Sequence, residues 1–304
     1  MKTLIRLLLL LATFTLVSCG GNNQPQLHRS AAVETAPWIE KGALFAGQPS
    51  EGAESTPIVW NNELFYVIDY IDAGGVHTRI TRESDHSTIS DRITGLAFVS
   101  AIVNNGTLYI FGSNSTNGGS KINMVSTTDL VNWTPKQTVF IVPNVQLFNN
   151  SVSASPAGFV MAYEICESGQ VCFNVRFLQS PDLIHWAGIG GTYERDYYTA
   201  CPTVRYVDGF YYLFYLSSYD NFYAVNVSRS TDLVAWQFSP ITVLSPLDGD
   251  DNHSNASDID MVEFNGQVRI IYYNGSQDGS LNPAVGLREA LFNGSLSEFV
   301  SKFF

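Results

Sequence analysis

Charge is scarce in this chain, and positive charge is scarcer still. Only 14% of its 304 residues are Asp, Glu, Lys or Arg, and 28 acidic against 16 basic side chains leave a formal net charge of -12. That balance argues against a nucleic-acid partner, which needs a basic face. Helical periodicity of useful length is missing. So is any composition break or Pro/Ser-rich linker after Pro37 that would divide the chain. Beyond the amino-terminal leader no apolar run is long enough to span a bilayer. No Gly-rich phosphate loop, H-E-x-x-H metal motif or G-x-S-x-G nucleophile elbow occurs, which removes several enzyme classes. Cysteine is limited to four residues without the spacing of a zinc site. What the chain does have is aromatic side chains, 13% of the total. Together these traits suit a β-rich exported protein with a concave site for an uncharged or weakly charged ligand.

Residues 1–18 read as a leader. Lys2 and Arg6 give it a positive start, Leu7 to Leu11 begin an apolar core, and Leu16-Val17-Ser18-Cys19 matches a bacterial lipobox. Such a segment is removed on export and is not a transmembrane helix. Cys19 would then carry lipid on its thiol and on its new amino terminus, and several acyl chains anchor a protein stably where one does not. The expected location is the bacterial cell envelope; Gly20 after the Cys favours the outer membrane in a Gram-negative host. Residues 19–36 are small, polar and aperiodic and read as a flexible tether. Residues 37–304 form one expected domain, with a monomer as the expected state. Cys166 and Cys172 flank a hairpin tip, where an oxidising compartment permits a disulfide across paired strands. Cys201 is left over, and is read as a small buried filler near the axis, with no base beside it to activate it.

The organising stretch is Ala200 to Tyr219, in which Asp208-Gly209 separates two β-prone, aromatic-rich runs. A DG pair in that setting signals a hairpin. Weaker copies start at Glu54, Phe98, Asn150 and Asp258, with turns near Asn62, Asn105-Gly106, Ala157-Gly158 and Asn265-Gly266. A second pattern runs alongside: Ser126 to Trp133, Ser180 to Trp186 and Ser230 to Trp236 each carry Asp-Leu-x-x-Trp after a hydroxyl residue. Copies recurring about every fifty residues have a propeller-like period. In this pattern Ser and Asp close a strand with a polar turn, and Leu and Trp fill the gap between adjacent sheets. Each blade is unstable alone and buries its face on its neighbours. The fold class is all-β: a five-bladed β-propeller, each blade a four-stranded antiparallel sheet. A β-sandwich would leave the evenly spaced Trp motif unexplained. Ring closure removes the exposed edge, and a terminal segment is expected to complete a blade begun at the other end. Trp38 to Phe45 and Phe299 to Phe304 are the candidate strands.

In a propeller the innermost strands line the axis. Aligning the copies on their turns puts Glu54, Phe98, Asn150, Cys201 and Asp258 at equivalent places near one mouth. Glu54 and Asp258 belong to the first and last blades, which are neighbours in a closed ring. Two carboxylates across a funnel are what glycoside hydrolysis uses, one as acid and one as base. The alternative is that each closes a polar turn, or that Asp250, Asp251 and Asp258 bind a structural cation in the channel; no cofactor is otherwise required. Asp260, two residues beyond Asp258, is expected on the same face, raising the pKa of Asp258 or contacting substrate. Glu194, in a loop before the fourth inner strand, is a second candidate acid, with Tyr198 a stacking surface. His77 and Arg79, Arg288, Asn150 and Trp60 are further candidate sugar contacts; His77, Arg79 and Arg288 are also explained as ordinary sheet pairs.

The hairpins of the form P-T-V-R-Y-x-D-G-F-Y-Y-L-F-Y, with S-x-D-L-x-x-W, resemble the five-bladed propellers of glycoside hydrolase family 43 and its relatives, over essentially Pro37 to Phe304. Glu54-Ser55-Thr56-Pro57, Ala200-Cys201-Pro202-Thr203 and Ser257-Asp258-Ile259-Asp260 resemble a little-characterised group of family-43-like proteins. The family implies an Asp base in the first blade, a helper Asp in the second and a Glu acid in a later one. By that resemblance Glu54 takes the base position, whereas Phe98, Asn150 and Cys201 occupy places where the other carboxylates would be expected. The implied activity is hydrolysis of plant or algal glycan fragments, with Glu54 as base or nucleophile and Asp258 or Glu194 as acid. A non-catalytic surface glycan-binding propeller is the alternative, and a lyase using His77 and Tyr198 is a third.

Overall fold

A computed structural model describes residues 35–44, 54–116, 118–193, 197–219, 222–246, 255–275 and 286–304. Among the described residues twenty strands build five blades, the last two joined into one sheet by a parallel bridge between Tyr223 and Asn255. The first strand, β1 (Glu40–Leu44), belongs to the last sheet. Blade 1 is β2 (Ser55–Trp60), β3 (Glu63–Asp72), β4 (Gly75–Arg82) and β5 (Thr88–Thr94). Blade 2 is β6 (Ala97–Asn104), β7 (Thr107–Ser113), β8 (Lys121–Thr127) and β9 (Gln137–Ile141). Blade 3 is β10 (Gln146–Ser155), β11 (Gly158–Cys166), β12 (Asn174–Ser180) and β13 (Ala187–Tyr193). Blade 4 is β14 (Ala200–Val207), β15 (Phe210–Ser218), β16 (Tyr223–Ser230) and the two-residue β17 (Gln237–Phe238). Blade 5 is β18 (Asn255–Phe264), β19 (Gln267–Gly275) and β20 (Gly286–Asn293), completed on its outer edge by β1. The inner strands β2, β6, β10, β14 and β18 contact one another in a closed cycle, so the ring is complete.

Four of the five inner hairpins turn on two consecutive residues of positive φ: Asn61-Asn62, Asn105-Gly106, Asp208-Gly209 and Asn265-Gly266. That is the backbone of a type I′ turn, whose twist matches the strands it joins. The third hairpin differs. Ser155 pairs with Gly158, so its turn is Pro156-Ala157 and not Ala157-Gly158.

The recurring Asp-Leu-x-x-Trp segment has one structure in three blades. Asp129, Asp182 and Asp232 each accept two backbone N–H bonds from the residues two and three ahead. A hydroxyl oxygen, from Thr127, Ser180 or Ser230, takes the N–H of the Asp itself. Held this way, Leu130, Leu183 and Leu233 adopt left-handed φ values of 61°, 69° and 62° and turn into the protein, where all three are buried. A bulky residue in that region costs about 1–3 kcal/mol and persists only where its surroundings fix it. The tryptophans then close the seams. Trp133 donates to Ser90 of blade 1 at 3.2 Å, Trp186 meets Phe111 of blade 2 edge-on, and Trp236 stacks on Phe177 of blade 3.

Blade 5 has no such motif. A short helix, α1 (Leu296–Ser301), stands in for it, seating Phe299, Val300 and Phe303 in the core between blades 4 and 5 with Phe214, Val227, Ile270 and Tyr272. The expectation of a strand over Phe299 to Phe304 is therefore corrected. Ser295 and Glu298 form a reciprocal capping box, which starts a helix. Closure comes from the other end, through antiparallel pairing of β1 with β20. The expected tether is also corrected at its end: Thr35 bridges Thr242, and Ala36 donates to Thr242 and is buried. Cys19 and the leader lie outside the described residues. Among the described residues no helix is long and apolar enough to cross a membrane.

Leu183→Ala empties a fully buried position in the seam between blades 2 and 3 and is expected to cost about 2–5 kcal/mol. Val234→Ala, next to the corresponding leucine of blade 4 but 66% exposed, is expected to change stability by less than about 0.5 kcal/mol. Urea unfolding of the two variants checks the seam assignment.

Candidate functional site

Inner-strand geometry sets the site. In blades 2, 4 and 5 the pairing of inner and second strand slips by one residue between Ala97 and Ser100, Ala200 and Thr203, and Ser257 and Asp260. Each slip is a bulge, and its first residue is left-handed: Phe98 at φ 56°, Cys201 at 50° and Asp258 at 52°. Bulges re-aim side chains, and these three line one cavity on the axis, together with Glu54, Ser55, Asn149 and Asn150. Counted from the hairpin register, the blade 3 counterpart of Glu54, Phe98, Cys201 and Asp258 is Asn149 rather than Asn150. The turn at Pro156-Ala157 accounts for the one-residue shift. Asn150 instead ties two blades, accepting from Ser100 Oγ at 2.6 Å and donating to the Phe98 carbonyl at 2.9 Å.

The bulge amides need acceptors, and two second-strand carboxylates supply them. Asp69 on β3 accepts from the N–H of Phe98 at 2.8 Å and of Glu54 at 3.2 Å. Glu164 on β11 accepts from the N–H of Cys201 at 2.8 Å. Both carboxylates are buried, and they stand equally far from their hairpin turns. Each holds the first residue of the next blade's bulge.

Glu54 and Asp258 both line this cavity, near enough for the charge of Asp258 to act on the Glu54 carboxyl. Asn149 Nδ2 donates to Asp258 at 3.1 Å, and Ser257 Oγ donates to its second oxygen. Glu54 is pushed well above the ordinary carboxyl range, first by burial and then by the charges of Asp258 and Asp69. Burial likewise lifts Asp69 to about 7 and Glu164 to about 8, against the backbone hydrogen bonds each accepts. The Cys201 thiol is pushed well up by burial and by Asp258, Glu164 and Glu54, which keeps it a neutral filler. The phenols of Tyr198 and Tyr273 are raised by burial and by the same group of acids. The cavity measures about 20 Å³, room for one water molecule. Two of its lining side chains, Ser55 and Asn149, are buried and leave Ser55 Oγ and Asn149 Oδ1 without a protein partner. Buried polar atoms are rarely left so.

Several expected contacts lie elsewhere. Asp260 lines the cavity, but its carboxylate is bound by Arg205, which also donates to the Met261 carbonyl at 3.0 and 3.2 Å and to Ser151 Oγ at 3.3 Å. The bulge at Asp258 breaks the simple alternation that put Asp258 and Asp260 on one face, and Arg205 is the counter-ion that burial demanded. Trp60 sits at the hairpin end of β2, far along the strand from Glu54, and is buried in the core between blades 1 and 2; it is not a sugar contact. His77 and Arg79 lie on β4, the third strand of blade 1. His77 bonds Asp72 at 2.9 Å, and Arg79 pairs with Asp91 over the Tyr70 ring. Arg288 lies on β20, the third strand of blade 5, and like these two it is absent from the cavity lining. Tyr198 is half-buried between the rings of Phe173 and Tyr223. Glu194, Asp250 and Asp251 lie outside the described residues. Among the described residues no three His, Cys, Asp or Glu side chains are grouped to hold a metal ion. Cys166 and Cys172 are joined by a disulfide.

Asp69 and Glu164 bind more protons in the folded protein than in the unfolded chain, because their raised values of about 7 and 8 sit above ordinary carboxyl values. Their contribution is complete in acid and is lost as pH rises toward about 8. Thermal unfolding is expected at lower temperature at about pH 9 than at about pH 5. In Glu164→Gln, whose amide oxygen still accepts from Cys201, that loss is expected to shrink. Parallel pH profiles for variant and wild type would contradict the assignment.

No family model and no curated protein sequence matches the chain. Solved structures do. An α-L-arabinofuranosidase from Clostridium thermocellum superposes with a TM-score of 0.57 at 18% identity, covering 78% of this chain and 89% of that one. An α-L-arabinofuranosidase from Podospora anserina, solved with cellotriose, gives 0.62 at 12% identity, over 86% and 98%. A glycoside hydrolase family 43 endo-arabinanase from Bacillus licheniformis gives 0.53 at 14% identity, over 79% and 93%. The chain therefore has the five-bladed β-propeller fold of the glycoside hydrolase family 43 type.

Proposed function

We propose that this protein is a glycoside hydrolase whose chemistry is centred on the Glu54–Asp258 pair at the floor of the axial funnel. One observation carries the reading: two carboxyls far apart in sequence, those of Glu54 and Asp258, line one polar cavity the size of one water, and the charge of Asp258 helps to raise Glu54. Like charges this close do not both ionise, so the pair works as a unit. Asp258, already accepting from Asn149 and Ser257, is the member suited to take a proton. Glu54, held protonated, is the member suited to give one. A water held in that cavity would be positioned for activation by the pair. The fold likeness to arabinofuranosidases and an arabinanase makes arabinose-containing glycans the first substrates to try.

The second reading is a glycan-binding propeller without catalysis, and the size of the cavity favours it. The space beside the pair holds one water and no sugar ring. As a hydrolase, the protein would need a further carboxyl that reaches the sugar, and Glu194 is the candidate from the sequence. Anchored through Cys19, either protein would meet glycan fragments at the cell envelope.

Release of reducing sugar from a panel of arabinan, arabinoxylan and aryl arabinosides separates the two. Turnover by the wild type, reduced about 10²–10⁴-fold in Glu54→Gln and in Asp258→Asn with glycan binding retained, supports the enzyme. Glycan binding without turnover by the wild type supports the module.

A further inference from the structure

Five aromatic rings run in an unbroken file around one side of the funnel. Phe98 meets Phe148 with 5.7 Å between ring centres, Phe148 meets Phe173 at 5.1 Å, Phe173 meets Tyr198 at 5.5 Å, and Tyr198 meets Tyr223 at 5.6 Å. They come from blades 2, 3 and 4 and from the segments between their strands. None belongs to the apolar cores between blades. All five are half-buried, neither sealed in the core nor fully exposed. Apolar surface left like this on a soluble domain is costly unless it is used.

The backbone is held out of its preferred shape to present two of these rings. Phe98 and Phe173 have φ of 56° and 66°, a region a bulky residue enters at a cost of about 1–3 kcal/mol. Each is pinned. The amide of Phe98 is bound by Asp69. Phe173 directly follows the Cys166–Cys172 disulfide loop; its N–H donates to the Ile165 carbonyl at 3.1 Å, and its own carbonyl accepts from the Thr199 amide at 3.2 Å. Thr199 Oγ1 donates to the same carbonyl at 3.3 Å. Strain maintained by a disulfide, a buried carboxylate and a neighbouring blade points to a function for the ring it orients.

The file begins at the cavity, which Phe98 lines, and continues around the acid group across blades 3 and 4, where Tyr198 lies near enough to Cys201, Glu164 and Asp258 to feel their charges. Its occupant is constrained at the inner end. Glu54, Asp258 and Asp260 line the cavity there, with Asp69 and Glu164 behind them on second strands, and among the described residues no basic side chain lines it. An anionic ligand is disfavoured; a neutral one with hydroxyl donors and apolar C–H faces is not. We infer that the aromatic file is a stacking platform for a neutral oligosaccharide, extending from the acid pair over blades 2 to 4. This rests on the proposed function for what happens at the pair, and not for the binding itself. Binding along the file supplies affinity remote from the reacting bond.

The test is binding by the full chain of a ladder of neutral arabino-oligosaccharides of increasing length, with galacturonate oligomers as the anionic comparison. The wild type is expected to bind longer members more tightly and the galacturonates weakly. Phe148→Ala and Phe173→Ala are each expected to weaken binding of the longest member by about tenfold. Phe173→Leu, which keeps apolar bulk, guards against a folding defect and is expected to lose affinity at an unchanged melting temperature. Phe238→Ala, at an exposed ring outside the file, is expected to bind as the wild type does. Affinity independent of length, no binding by the wild type, or full affinity in a folded Phe173→Leu overturns the platform. Length-dependent binding without turnover leaves the platform standing and removes only the hydrolase reading.

Discussion

Glu54 and Asp258 line one cavity only because the last blade closes on the first. The two residues are separated by most of the chain, and nothing local favours bringing two acids together. Closure is driven elsewhere, by apolar blade faces that cannot stay in water and by β1 supplying the outer edge of blade 5. The closing seam itself is the least apolar of the five. Its core is Leu64, Tyr66, Ile68, Ile271 and Leu287, without a tryptophan. Polar links reinforce it: Tyr66 donates to Glu289, and Arg269 binds Glu83 at 2.6 Å. The acid pair is thus imposed on the seam by the stability of the rest of the ring.

Around that pair the polar groups divide into those that are satisfied and those that are left over. Asp69 and Glu164 are spent on the amides of left-handed bulge residues, and Asp260 on Arg205. Thr203 adds a bond to the Ile259 carbonyl at 2.5 Å across blades 4 and 5. These contacts hold the inner strands in register and aim Phe98, Cys201 and Asp258 at the axis. The exceptions, Ser55 Oγ and Asn149 Oδ1, border the cavity beside the pair. Structure and candidate chemistry therefore separate: buried acids with amide or guanidinium partners hold the inner strands in place, and Glu54 and Asp258 line the cavity beside Asn149 and Ser55.

The architecture was legible because it repeats. Type I′ turns leave Asn-Gly and Asp-Gly pairs in the sequence, and the Asp-Leu-x-x-Trp segment recurs because each copy solves the same seam. Glu54 and Asp258 were legible for the same reason, from their distance to a turn. Asn149 was missed by one residue because Pro156-Ala157 lacks the expected glycine and the reading settled on Ala157-Gly158. Asp69 and Glu164 sit on second strands, where the argument from innermost strands does not look, although the same count from the turn would have paired them. The helix at Leu296–Ser301 was masked by its aromatic composition despite a capping box beginning at Ser295. Of the aromatic file only Tyr198 was singled out as a stacking surface; Phe98, Phe148, Phe173, Tyr198 and Tyr223 recur at the blade period or half of it, but they meet only when three blades are assembled.

The proposed chemistry requires one proton to be held between Glu54 and Asp258. Infrared difference spectroscopy in the carboxyl-stretch region, at neutral pH, tests it most directly. The account predicts a protonated-carboxyl band in the wild type that loses intensity in Glu54→Gln and shifts in Asp258→Asn, where its hydrogen-bond partner changes. A wild-type spectrum with no such band, or one that neither substitution alters, would contradict it.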